Sequence, residues 1–190
     1  MKKGRRQRHL PEIRLEEQKM TAQRSDCVLF KEKKYAICGV KGEGLFDPRN
    51  FDIPTVWVQS CCWKGFYCLY SIEEEELRLV SFSTGYNGLE RIKIKYGKGK
   101  EFLGQKPVLK DDSYAHYENL PCFRVNFTGS LLIGTDYIEN LPRHGGVVQP
   151  FYFQEVLEVF IQNGKVQNIV DCSQQVSATR EENQLSQELS

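Results

Sequence analysis

Residues 55–72 constrain this chain more than any other segment, because they set Trp57, Trp63, Phe66, Tyr67 and Tyr70 among three cysteines, 61, 62 and 68. Several consecutive positions there are apolar, so a strand running through them has no solvent face and belongs near the middle of a sheet. The pattern predicts a strand over 55–61, a turn around Lys64-Gly65 and a second strand over 66–72. Buried in a core, each large ring removes ~150–250 Å² from water. Trp57, Cys61, Cys62 and the 66–72 strand are therefore assigned to stability. The turn at Trp63, Lys64 and Gly65 is left open to function.

The rest of the chain repeats this hairpin plan. Glu73, Glu74, Glu75 and Glu76 form a polar tip before a return strand over 77–82. Upstream, apolar runs at 27–30 and 35–38 flank the charged residues 31–34, which predicts another hairpin. Downstream, runs at 156–161 and 166–170 flank Gln162-Asn163-Gly164-Lys165. Asn-Gly is the preferred tip of a tight hairpin, since both central residues must take positive φ. Further strands are expected over 123–127 and 131–133, with a break at Gly129, followed by a single helical turn over 136–141. Ile92, Ile94 and Tyr96 alternate with charged residues, so they predict a strand with Arg91, Lys93 and Lys95 on its outer face. The expected fold class is mainly β: an antiparallel sheet curled as a barrel or sandwich, with a short N-terminal helix at most, over 11–23.

A chain of 190 residues suits one domain. The division expected is a basic flexible arm or frayed helix over 1–25, a single β-rich domain over 26–172, and a flexible polar tail over 173–190. The N-terminal 24 residues hold eight Lys or Arg and three Glu, a net +5 within a chain whose formal charge is +1. Nothing approaches the ~20 apolar residues of a membrane span. Residues 1–8 lead into Pro11, Glu12, Glu16 and Glu17 where a signal peptide would carry its apolar segment. The expectation is a cytoplasmic protein without membrane insertion. Seven cysteines, an odd count with two adjacent, read as reduced thiols.

Chemistry has few places to sit. Cys61 and Cys62 with His144 are the one hint of a nucleophile and base, but nothing in their spacing brings them together. No Cys-x-x-Cys or His-x-x-x-His pair is present, so neither a metal nor a cofactor is expected. The four glutamates at 73–76 read as a solvated tip. Arg91, Lys93, Lys95, Lys98, Lys100 and Lys106 form a basic strip in which Gly97 and Gly99 expose backbone amides to an anion. Trp63, Lys64 and Tyr67, together with Arg143 and His144, occupy the two turns where aromatic, polar and glycine residues meet, a composition suited to lining a ligand pocket.

At those turns, Cys62-Trp63-Lys64-Gly65-Phe66-Tyr67, followed by Phe127-Thr128-Gly129-Ser130-Leu131-Leu132-Ile133, resembles a poorly characterised group of bacterial cytosolic β-rich proteins. The resemblance spans 26–171 and implies a shared fold without an activity. Lys64 stands where the group more often has Arg. The function expected first is a non-enzymatic interaction or ligand-binding domain, with a protein or small ligand as partner. A second expectation is a nucleic-acid or anionic-surface binder using residues 2–8 and the 91–100 strip. The third is a hydrolase or transferase working from the Trp63 and His144 turns.

Overall fold

The computed structural model describes residues 23–110, 113–141 and 146–188. The expected N-terminal helix and the basic arm at 2–8 lie outside the described residues, as do Arg143 and His144.

In chain order the strands and helices are β1 (Cys27–Phe30), β2 (Lys33–Glu43), β3 (Phe66–Glu73), β4 (Glu76–Gly85), α1 (Gly88–Lys95), β5 (Val108–Leu109), β6 (Tyr114–Tyr117), β7 (Phe123–Arg124), β8 (Thr128–Tyr137), β9 (Phe153–Gln162), β10 (Lys165–Asp171) and α2 (Ser173–Glu188). The fold is mainly β. Its strands neighbour one another in the order β10-β9-β8-β2-β1-β3-β4, and β4 pairs back to β10 at Glu76 and Lys165, so the sheet closes on itself. The closure rests on that one pair, and the sheet path continues past β4 through β6 to β5. The far edge of β4 is shared, with β10 at its start, β7 at Arg78 and Leu79, and β6 from Phe82 to Gly85.

The sheet is mixed, which corrects the expectation of a purely antiparallel one. β1 runs parallel to β3, with Cys27 opposite Leu69 and Val28 opposite Tyr70. A parallel pair needs a crossover too long for a hairpin. Residues 31–65 supply it: β2 pairs on the other side of β1, and the crossover stretch 44–65 that follows carries a 3-10 turn at Pro48–Phe51.

All three predicted hairpins form, at Lys31-Glu32, Glu74-Glu75 and Asn163-Gly164. Each pair has positive φ at both residues: 47° and 64°, 51° and 60°, 49° and 77°. Only the third carries the Asn-Gly signature of such turns. The glutamate tip is held by Arg78, which reaches Glu74 at 2.7 Å and Glu73 and Glu76 at 3.3 Å, while Arg124 also reaches Glu76.

The barrel interior is filled by Val28, Tyr35, Tyr70, Leu77, Phe82, Phe127, Leu131, Ile133 and Val159, none more than 1 % exposed. Strand periodicity then sends the next side chains outward. On β9, Val159 and Ile161 point into this core, while Val156 joins Cys38, Tyr152, Phe153 and Cys172 in a second cluster outside it.

That outer cluster explains why 173–188 is helix and not the flexible tail expected. Val176 packs on the cluster, and Arg180 donates from Nε to the Phe151 carbonyl and from Nη2 to that of Phe153, at 2.8 and 2.7 Å. Asp171 accepts from the Ser173 backbone N–H at 2.9 Å, satisfying a donor of the first turn. A short polar helix is marginal alone and depends on such docking.

Residues 92–95 are likewise helical, within α1, with Tyr96 as the C-cap, and not a strand. Asn87 caps the helix by accepting from the Glu90 backbone N–H at 3.0 Å, and the last turn holds Lys93 and Lys95 near the negative end of the helix dipole. The helical turn expected over 136–141 is absent because β8 runs on to Tyr137.

Candidate functional site

The predicted strand over 55–61 is also absent, and its absence makes the site. Successive turns, Cys62 N–H to Gln59 O and Gly65 N–H to Cys62 O, both 3.0 Å, coil residues 59–65 instead of extending them. Val56 donates to the Gly85 carbonyl at 2.9 Å and Gly85 donates to that of Gly65 at 2.8 Å, which fastens the loop to the end of β4. A Cβ on Gly85 would stand 2.0 Å from the Val56 oxygen, so this crossing requires glycine.

The coiled loop reverses the assignment of Trp57 to the core. Trp57 is 63 % exposed and Trp63 is 53 % exposed, so neither fills the core. Trp57 donates its Nε1–H to the Gln59 carbonyl within its own loop, at 2.7 Å. Cys61 is half-buried, whereas Cys62 is buried and donates to the Phe66 carbonyl at 3.2 Å.

Trp63 and Lys64 rim a cleft of about 300 Å³ whose other lining includes Ile37, Val40 and Val147. Val40 and Val147 are 51 % and 61 % exposed. Residues 146–147, which adjoin Arg143 and His144 in sequence, thus come to the same place as the Trp63 turn. Gln23 makes the connection: its N–H donates to the Gly146 carbonyl at 2.7 Å, its Nε2 to Ser60 O at 2.8 Å, and its Oε1 accepts from the Trp63 N–H at 3.0 Å.

Lys64 is held at 2.6 Å by Asp26, whose other oxygen accepts from the Cys68 N–H at 2.8 Å. The ion pair occupies the Lys64 ammonium, so the cleft offers apolar surface beside a neutralised pair and the Arg24 guanidinium, which also lines it. Tyr67 stands on the outer face of β3 with the Arg24 guanidinium 3.4 Å above its ring and the Tyr114 ring edge-on at 5.2 Å. An exposed cation–π contact of this kind contributes ~0.5–1 kcal/mol.

Gln23, Arg24 and Asp26 are the residues that sequence reasoning missed, because the first two fell within the expected flexible arm. Nothing local in a polar stretch announces hydrogen bonds to residues some forty or more positions away. Another missed contact is the 2.8 Å hydrogen bond between Ser83 and His116, which face each other across β4 and β6. Ser83 is only 5 % exposed, so the pair serves as a cross-strand tie and gives no substrate access to its hydroxyl.

Four thiols apart from Cys61 and Cys62 are shifted by burial. Burial raises the pKa of Cys27, Cys68 and Cys172, and pushes that of Cys38 up to about 12, which keeps these thiols protonated near neutrality. Arg91 and Lys95, four positions apart, share one side of α1 while Lys93 projects from another, and Lys98 and Lys100 follow in the exposed loop, so the basic residues do not share the single strand face expected of them. Among the described residues, no helix is long and apolar enough to cross a membrane. No family model, curated protein or solved structure matches the chain.

Proposed function

We propose that this protein is a binding domain whose ligand site is the Trp63 cleft, and that it takes an uncharged apolar or aromatic group, such as a side chain of a protein partner or a small hydrophobic ligand. The observation that carries the reading is the exposure of Trp63, Val40 and Val147 together around one concavity. Large apolar side chains held out of a complete core lose the stabilisation of burial, and a bound apolar group restores it. Binding and not turnover is favoured because the polar groups at the cleft are engaged: Lys64 with Asp26, and the Cys62 thiol with the Phe66 carbonyl.

The chain has two tryptophans, so two indole N–H signals report on the two loop positions separately. Titration with N-acetyl-tryptophan amide and N-acetyl-leucine amide is expected to move the Trp63 signal saturably, together with the Val40 and Val147 amides, while Trp57 stays in place. In Trp63→Ala the Val40 and Val147 responses should be lost. Equal movement of both indoles, or of neither, would refute the assignment.

A further inference from the structure

Helix α1 is amphipathic in the wrong sense for a helix that packs on a barrel. Leu89, Ile92 and Tyr96 are 72 %, 56 % and 71 % exposed, and no residue of the helix is buried. At 3.6 residues per turn these three side chains fall within an arc of about 60°. Glu90 and Ile94, four positions apart and so together on the other side of the helix, are the positions only half exposed. The stripe of Leu89, Ile92 and Tyr96 therefore faces solvent, while Ile94 and the Glu90 carboxylate face the protein.

Charge flanks the stripe. On the helical wheel Lys93 follows Leu89 by about 40° and Lys95 precedes Ile92 by about 60°. Residues 88–106 carry six Lys or Arg against Glu90 and Glu101, a net +4 in a chain of +1. Two of these charges are paired, Lys93 with Glu90 and Lys106 with Glu101. Lys95, Lys98 and Lys100 have no ion-pair partner among the described residues. The loop that bears them is anchored: Tyr117 donates its hydroxyl to the Lys100 carbonyl at 2.8 Å, which fixes it beside β6.

We propose that α1 and the loop after it form a docking surface for an anionic lipid bilayer. The helix would lie in the interface, with Leu89, Ile92 and Tyr96 entering the headgroup region and the lysines extending to lipid phosphates. A cationic helix with an apolar stripe is complementary to such a surface in both respects. A nucleic acid would engage the lysines but leave Leu89 and Ile92 in water, so the apolar stripe favours lipid. The contact is peripheral and spans nothing.

The test is co-flotation of the full chain with mixed phosphatidylcholine and phosphatidylglycerol vesicles, alongside phosphatidylcholine alone. Binding is expected to the mixed vesicles only and to weaken with salt. Leu89→Ser with Ile92→Ser should reduce partitioning roughly tenfold while every charge is kept. Lys95→Glu with Lys98→Glu should reduce it at least as much. Melting temperatures should stay close to the parent, because no α1 side chain is buried. The net +5 of the N-terminal 24 residues could itself hold acidic vesicles, and vesicle binding untouched by the Leu89/Ile92 pair would assign it there and overturn the proposal. So would a chain that ignores the vesicles yet retains a labelled RNA duplex.

Discussion

Around Phe46 the rings of Phe51, Phe82, Phe102, Tyr117 and Phe123 stack and meet edge to face, with centroids 4.3 to 6.0 Å apart. Trp57 and Trp63 instead stand more than half exposed on a coiled loop. Both sets hang on the same crossover and the same strand, since Phe46 and Phe51 come early in 44–65, the tryptophans come late, and Phe82 and Gly85 lie on β4. What separates them is backbone hydrogen bonding. The early part sends Phe46 into the core and sets Phe51, 39 % exposed at the end of the 3-10 turn, against its ring, whereas the turns at 59–65 leave Trp63 outside. Aromatic content alone thus does not decide burial; the local turn does.

Phe82→Ala offers the strongest challenge to this contrast. Phe82 is 1 % exposed and stacks on Tyr117 at 4.3 Å with the planes 10° apart. Its truncation is expected to cost ~3–5 kcal/mol. Urea denaturation should show the loss as a global shift of the midpoint; a loss under about 1 kcal/mol would mean that the cluster repacks and is not a true core.

Gly85→Ala sharpens the contrast by acting where the loop joins the barrel. The new methyl would collide with the Val56 carbonyl, at an expected cost of ~1–3 kcal/mol. Amide exchange should accelerate over 55–65 while the β8 and β9 amides remain protected. Uniform acceleration would show that the loop and the barrel unfold as one unit.

How much of this was legible follows from the range of each interaction. The three hairpins could be read because a strand, its tip and its partner are contiguous. The helix α1 carried two signals in conflict, the period-two isoleucines and the Asn87-x-x-Glu90 cap, and the cap won because the backbone N–H it satisfies is an obligatory donor. α2 has little apolar surface of its own and exists through Val176 and Arg180 meeting a cluster assembled from distant strands. At the site, Trp63, Lys64 and Tyr67 were visible as a turn of mixed character. Their partners Gln23, Arg24 and Asp26 were not, since the parallel pairing of β1 with β3 that brings them close leaves no local pattern.

Asp47 provides a milder probe of how the early part of the crossover is held. It caps the 3-10 turn bearing Phe51, accepting from the Arg49 N–H at 2.9 Å, and the Arg49 guanidinium holds its carboxyl below the usual range. A depressed folded pKa means the stabilisation is complete above the unfolded value, near pH 4, and fades as pH falls through the folded one. Asp47→Asn keeps a capping oxygen and removes the charge. The variant should be less stable by ~0.5–1 kcal/mol at neutral pH, the figure being small because the pair is partly screened by solvent. The gap should close on acidification in parallel melts. A gap that widened in acid would reverse the assignment.

Trp63→Ala carries the smallest expected effect on stability and for that reason decides the comparison. A side chain already 53 % exposed, on a loop outside the core, should cost within ~0.5 kcal/mol when truncated. The same substitution is expected to abolish the response of Val40 and Val147 to apolar ligands. A residue that matters to binding and hardly to folding differs in kind from Phe82, which matters to folding first. Should Trp63→Ala instead destabilise the chain by as much as Phe82→Ala, the cleft would be an imperfectly closed part of the core, and the exposed tryptophan would lose its claim to a ligand.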